Sequence, residues 1–244
     1  LAEPFTSGKG KHGAEAVSSE YVWNEPRPSR AIHQIPKSAH GHFVIQMVIH
    51  DSDEDPGQIS KCGSMGEYHT RMIALAETDT LDVIEQVGPF HYQDGKKETR
   101  EHYLDHLVIK EGGKRFGLTD KPTVYVTEDF QDEIAQVRED GRQKKLFDEL
   151  YLVTEFARDP ITLFNAELIR GCRDEEADVD AIALTVVADV TSKAKLDELI
   201  CQINRGPRGF RALVRLIGSG HLVLWKHEKI SRDSVVVRGV ATHD

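Results

Sequence analysis

The side chains best suited to chemistry are histidines and carboxylates, and a few stand close together in sequence. His40-Gly41-His42 opens the alternating stretch "HFVIQMVIHD". Residues two apart on a strand share a face, so this pair, joined by His106 beside Asp105, could offer imidazole and carboxylate ligands to zinc. With 12 histidines scattered over 244 residues, chance pairing is the competing account. The acidic run Asp51 to Asp55 lacks the ligand spacing, Gly and Glu of a calcium loop and reads as a solvated turn. No GxSxG, P-loop or GxGxxG sequence is present. Cys62, Cys172 and Cys201 lie far apart with no CxxC pair, which suggests neither a zinc ribbon nor a disulfide framework and fits a reducing compartment. On these residues catalysis has no obvious seat. The expectation is a protein with no cofactor and no reaction of its own, with a zinc-dependent metalloenzyme on the HGH strand as the alternative.

Composition narrows the partners. The chain is 39% hydrophobic and 30% charged, enough for one good core or two small ones. Its formal net charge of -10 argues against a broad phosphate-binding surface, so nucleic acid is not an expected partner. No run long enough to cross a bilayer is evident.

The elements that would position any site divide the chain into three parts. Residues 1–60 read as an extended arm rich in Gly, Ser, Pro and Lys, ending in a strand with Phe43, Ile45, Met47 and Ile49 on one side. Residues 61–175 read as a helical bundle. Ser64 caps a first helix carrying Tyr68, Met72, Ile73 and Ala76, and Thr78 to Thr80 start a second with Val83, Ile84 and Val87 inward. "REHYLDHLVI" and "TEDFQDEIAQV" supply further helical stripes. "KKLFDELYLVTEFAR" adds Leu146, Phe147, Leu150, Val153 and Phe156, and Asp159-Pro160 starts the last helix. Residues 176–244 read as a small α/β unit: a strand at "AIALTVVADV", a helix capped by Ser192, and strands at "FRALVRLI", "HLVLW" and "DSVVVRGV". The expected class is α+β, an N-terminal all-helical bundle followed by a small α/β C-terminal domain and preceded by an arm with one strand.

The spacing of Tyr68, Met72-Ile73, Leu75-Ala76 and Leu81-Asp82-Val83 resembles the opening helices of the oligomycin-sensitivity-conferring protein, the mitochondrial counterpart of the delta subunit of F-type ATP synthases. "LFDELYLVTEFARDPITLFNAEL" is similar to a later pair of helices in that family, with Arg158 at its arginine. "ADVTSKAKLDEL", "LIGSGHLVLW" and "SRDSVVVRGV" follow the family's C-terminal order. His69 and Arg71 replace the small residues of the first helix, residues 90 to 140 match poorly, and residues 1 to 60 have no family counterpart.

The resemblance implies a peripheral-stalk subunit on the matrix side of the mitochondrial inner membrane, membrane-associated only through its complex. Its partners would be the ATP synthase alpha subunits, whose N-terminal helices would lie in an apolar groove, and the peripheral-stalk subunit. Tyr68, Met72, Ile73 and Ala76 would form a groove wall, with Leu150 and Val153 as further contacts. For each of these residues plain bundle core is the bland counterpart. An unrelated scaffold subunit of a large mitochondrial complex is a further alternative.

Overall fold

The computed structural model describes residues 24–33, 35, 44–50 and 55–239. His40, His42, Phe43 and the stretch from Asp51 to Glu54 lie outside them. Among the described residues, no helix is long and apolar enough to cross a membrane.

The centre is a mixed four-stranded sheet in the order β3-β4-β5-β6: β3 is Thr80–Gln93, β4 Thr99–Lys110, β5 Arg115–Asp120 and β6 Glu149–Val153. β3, β4 and β5 pair antiparallel, and β6 joins β5 in parallel through a crossover that contains helix α2, Glu128–Gln143. Helix α1, Met65–Ala76, packs on the opposite face, against β3, β4 and β5. A parallel strand pair needs such a crossover, because a tight turn cannot return the chain in the same direction. A second, antiparallel pair, β1 (Ile45–Ile49) and β2 (Gln58–Cys62), leads into α1.

The two helices on the central sheet begin at caps written in the sequence. Ser64 accepts the Glu67 N–H at 3.2 Å and caps α1, and Thr127 does the same for α2 through Phe130 N. α2 buries Phe130, Ile134 and Val137 on one stripe, against Leu104, Phe147 and Leu150 of the sheet. Each of those side chains contributes about 1.5–3 kcal/mol of burial. Beneath α1 a smaller cluster joins Ala74 to Val83 and Val108.

Helix α3, Pro160–Gly171, capped by Asp159, crosses α1 and leads into a C-terminal unit. Its order is α4 (Ala177–Ala188), β7 (Ala194–Lys195), α5 (Leu196–Ile203), α6 (Pro207–Gly218), β8 (Leu222–Leu224) and β9 (Val235–Arg238). The three short strands pair β7-β9-β8, and the segment between β8 and β9 forms a wing. α5 and α6 are joined by three residues, with Asn204 left-handed at φ 52° and Gly206 at φ 55°. That is a helix-turn-helix carrying a β-wing. Val179, Ala183, Leu199, Ile203, Leu213 and Val236 share its core. Asn165 of α3 grips the wing, donating to Glu228 O and accepting from Ile230 N.

The expected bundle is therefore corrected. "TDTLDVIEQV", "REHYLDHLVI" and the centre of "KKLFDELYLVTEFAR" are β3, β4 and β6, so the chain is an α/β protein built on a mixed sheet. Helices cover both faces of this sheet, so apolar residues fall on both faces of its strands, and neighbouring apolar positions imitate a helical stripe. The C-terminal reading fails in the other direction. "AIALTVVADV" is α4 and "FRALVRLI" is α6. Val179, Ala183 and Val187 recur at four-residue steps, so packing overrides the strand preference of the β-branched residues.

One polar contact ties α1 to the sheet. Arg71 is 1% exposed, with its guanidinium 3.5 Å from Glu85 of β3, itself fully buried, and 2.8 Å from Val83 O. Ser29 donates to the same carboxylate at 2.7 Å. Arg71→Met alone strands a buried charge and is expected to cost about 3–5 kcal/mol, whereas Arg71→Met with Glu85→Leu recovers most of the loss. Urea unfolding of the two variants checks this, and equal losses in both contradict it.

Candidate functional site

The carboxyl ends of the parallel strands and the N-terminus of α1 converge on Asp105. Three elements hold this side chain. Its Oδ2 accepts the Asp120 backbone N–H of β5 at 2.7 Å, its Oδ1 accepts Gln86 Nε2 of β3 at 3.3 Å, and Glu67 of α1 lies close enough for its charge to act on it. Gln86 is in the left-handed region at φ 48°, a conformation that costs a non-glycine residue about 1–3 kcal/mol and tends to cluster at functional sites. A register shift in β3 follows directly, between Val87 and Phe90.

The electrostatics are those of crowded negative charge. Loss of hydration, then the charge of Glu67 and that of Asp120, push the Asp105 carboxyl well above the usual range, against the opposing hydrogen bond from Asp120 N. Burial carries Asp120 up to about 6, even though Thr70 donates to it at 2.7 Å and Arg158 pairs with it at 2.5 Å. Glu67 Oε2 accepts the Gly63 N–H at 2.7 Å.

A second polar chain runs along the α2 side. His102 Nδ1 meets Glu133 at 2.7 Å and its Nε2 meets Thr119 Oγ1 at 3.1 Å. Glu133 and Lys121 line a cavity of about 610 Å³ with Tyr92, Tyr125 and Phe130. Lys121 Nζ stands 4.5 Å over the Phe130 ring, and among the described residues it pairs with no carboxylate. Asp120 and Lys121 thus leave the end of β5 toward opposite sides, Asp120 to Thr70 of α1 and Lys121 to Phe130 of α2.

The residues singled out from sequence are dispersed. Tyr68 meets Glu167 of α3, and Met72, 4% exposed, lies with Ala76 along a cavity of about 490 Å³ that Ala166 and Ile169 of α3 also line. Ile73 and Val153 do come together, in an apolar cavity of about 370 Å³ between α1 and the sheet, with Phe116 and Tyr151. Leu150 is fully buried in the separate cluster under α2. Ile73 and Ala76 also share a cavity of about 580 Å³ with Leu224 and Trp225, and the helices on which the stalk-subunit resemblance depended at Leu81–Val83 and Leu146–Phe156 are not there.

His106 is fully buried, donates from Nε2 to Glu67 O at 2.9 Å, and is pushed by burial down to about 3, so it sits neutral as a structural contact. Among the described residues, no group of three or more His, Cys, Asp or Glu side chains is arranged to hold a metal ion.

Sequence reasoning passed over Glu67, Asp120 and Lys121. They come from a helix and a strand end with no local motif, and the one usable signal was the polar "LTDKP" ending an apolar strand.

A folded-state carboxyl pKa above its unfolded value of about 3.9 stabilises fully below that value and is lost as pH rises through the folded one. Asp120, at about 6, therefore lowers stability between about pH 4 and 6, and Asp105 acts in the same direction. Asp105→Asn is expected to unfold at higher urea than wild type at neutral pH, with the gap closing toward pH 4. Coincident midpoints across that range would show that Asp105 ionises without penalty.

No protein-family model matches the chain, and no curated protein matches it.

Proposed function

We propose that the protein is a divalent-cation-dependent DNA endonuclease, with Asp105 and Glu67 holding the cation and the α5–α6 unit docking the chain on duplex DNA. The carrying observation is the concentration of negative charge around Asp105 at the strand ends, where Glu67 of α1 and Asp120 of β5 converge on it. A carboxyl that holds its proton against like charges binds a cation in its place and is relieved by it. Mg²⁺ is usually held by one or two protein carboxylates together with substrate phosphates and water, so two acids suffice.

The bound cation would supply Lewis-acid polarisation of the phosphate and a water of lowered pKa. The chain's own residues do the rest. Gln86 and the Asp120 N–H fix the Asp105 carboxylate, and Glu67 approaches from α1.

The substrate class follows from the C-terminal unit. In a helix-turn-helix the second helix enters the major groove, and its N-terminal residues meet base edges. Here that end carries Pro207, Arg208 and Arg211. Although the whole chain is acidic, the unit from α4 to β9, residues 177–239, contains ten Lys and Arg against seven Asp and Glu, a local formal charge of +3. The overall charge argued against a broad phosphate-binding surface, and this reading needs only a local one.

Supercoiled plasmid incubated at low salt with Mg²⁺ or Mn²⁺ should be nicked or linearised, and chelation should stop it. Asp105→Ala should abolish cutting, and Glu67→Gln should slow it by about 10²–10³-fold, the range for removing one electrostatic contributor. Plasmid left intact by folded wild type with both metals, or cut equally fast by Asp105→Ala, would overturn the assignment.

A further inference from the structure

The arginines that would meet DNA are already occupied. Arg208 of α6 pairs through Nε with Glu176 and through its other nitrogen with Asp178 at 2.9 Å, and Arg211 lies 3.9 Å from Asp174. All three acids belong to one short stretch, Asp174 to Asp178, which runs into the first turn of α4. Arg215, further along α6, behaves differently. It is enclosed, bonded to Asp180 at 2.6 Å and to the carbonyls of Cys172 and Asp174 at 2.8 Å, and holds α4 and α6 together.

The outer pairs are open to water, although Glu176 itself is half-buried. The side chains of Arg208 and Arg211 are 49% and 37% exposed, and those of Asp178 and Asp174 are 64% and 53% exposed. Exposed pairs are worth at most about 1 kcal/mol each, so a phosphate can exchange for the carboxylate. The exchange is not free, because the displaced carboxylates stay beside α6 and repel the incoming backbone.

We infer that Asp174–Asp178 is a resident competitor for the DNA backbone on α6, occupying Arg208 and Arg211 until a duplex displaces it. This rests on the DNA-binding reading above. Phosphate contacts carry no sequence information, so the competitor weakens binding to every duplex by a similar factor. Only sites that add base-edge contacts are then held firmly, and non-specific occupancy is suppressed.

The test is fluorescence anisotropy of a labelled random-sequence duplex over a salt series, with thermal unfolding to check each protein. The variant D174N/E176Q/D178N should bind about 10-fold or more tightly than wild type at low salt, with a steeper salt dependence. Arg208→Ala/Arg211→Ala should bind more weakly, and adding it to the acid variant should remove the gain. If the triple variant unfolds early, Glu176→Gln alone carries the same test with a smaller gain.

Unchanged affinity in a folded acid variant, while Arg208→Ala/Arg211→Ala still weakens binding, overturns the competitor and leaves DNA docking standing. A gain that survives loss of the arginines also overturns it, since general charge would then be the cause. No duplex binding by wild type or by any variant overturns the docking reading and the competitor together.

Discussion

The buried pair between Arg71 and Glu85 is the constraint on which the candidate site depends. α1 carries Glu67 one turn before Arg71, so wherever Arg71 is pinned, Glu67 is delivered to the strand ends one turn away. Val83 O accepts from the arginine and Ser29 donates to the glutamate, while Arg71 Nε and Nη1 and Glu85 Oε2 are buried without a hydrogen bond among the described residues, so charge at 3.5 Å holds the rest of the pair. Ser29 belongs to the segment ahead of the strands, and Arg30 beside it pairs with Asp82 at 2.6 Å. The same register that buries Arg71 therefore also lays the incoming chain along β3.

Strain completes the site. β3 departs from regular pairing around Val87, and Gln86 takes a left-handed conformation that points its amide at Asp105. The compensation comes from the sheet on either side: Val83 is buried against α1, while Phe90 packs on Phe147 with ring centroids 5.4 Å apart beneath α2. A carboxylate ringed by like charges is poorly suited to stability and well suited to a cation, so its cost is intelligible as function. The helix-turn-helix unit is joined to this centre by α3, which packs against α1 on one side and α6 on the other. A duplex engaged by the unit would thus be held in a defined relation to the strand ends.

The helical elements with clear punctuation could be read directly from the chain. Ser64 before α1, Thr127 before α2 and Asp159-Pro160 before α3 are local signals, because a cap satisfies backbone groups within its own turn. The stripe of α6 was equally legible: Gly209, Ala212, Leu213 and Leu216 stand at helical spacing behind Pro207. Reading it as a strand gave the β-branched and arginine alternation more weight than the proline and the period.

The sequence alone therefore determined the caps of α1 and α3, the amphipathic stripes of α1, α2, α3 and α5, and the strands β1, β8 and β9, whereas the Ser192 cap gave way to Lys195. Only the tertiary structure decided that Leu81–Val87 and Leu104–Ile109 are strands, since apolar residues covered on both faces carry no period of two. It alone also placed Glu67, Asp105 and Asp120 together. These residues are separated along the chain by whole elements, and their meeting depends on pairing β4 with β5 and on a buried arginine, contacts that leave no local trace in composition or spacing.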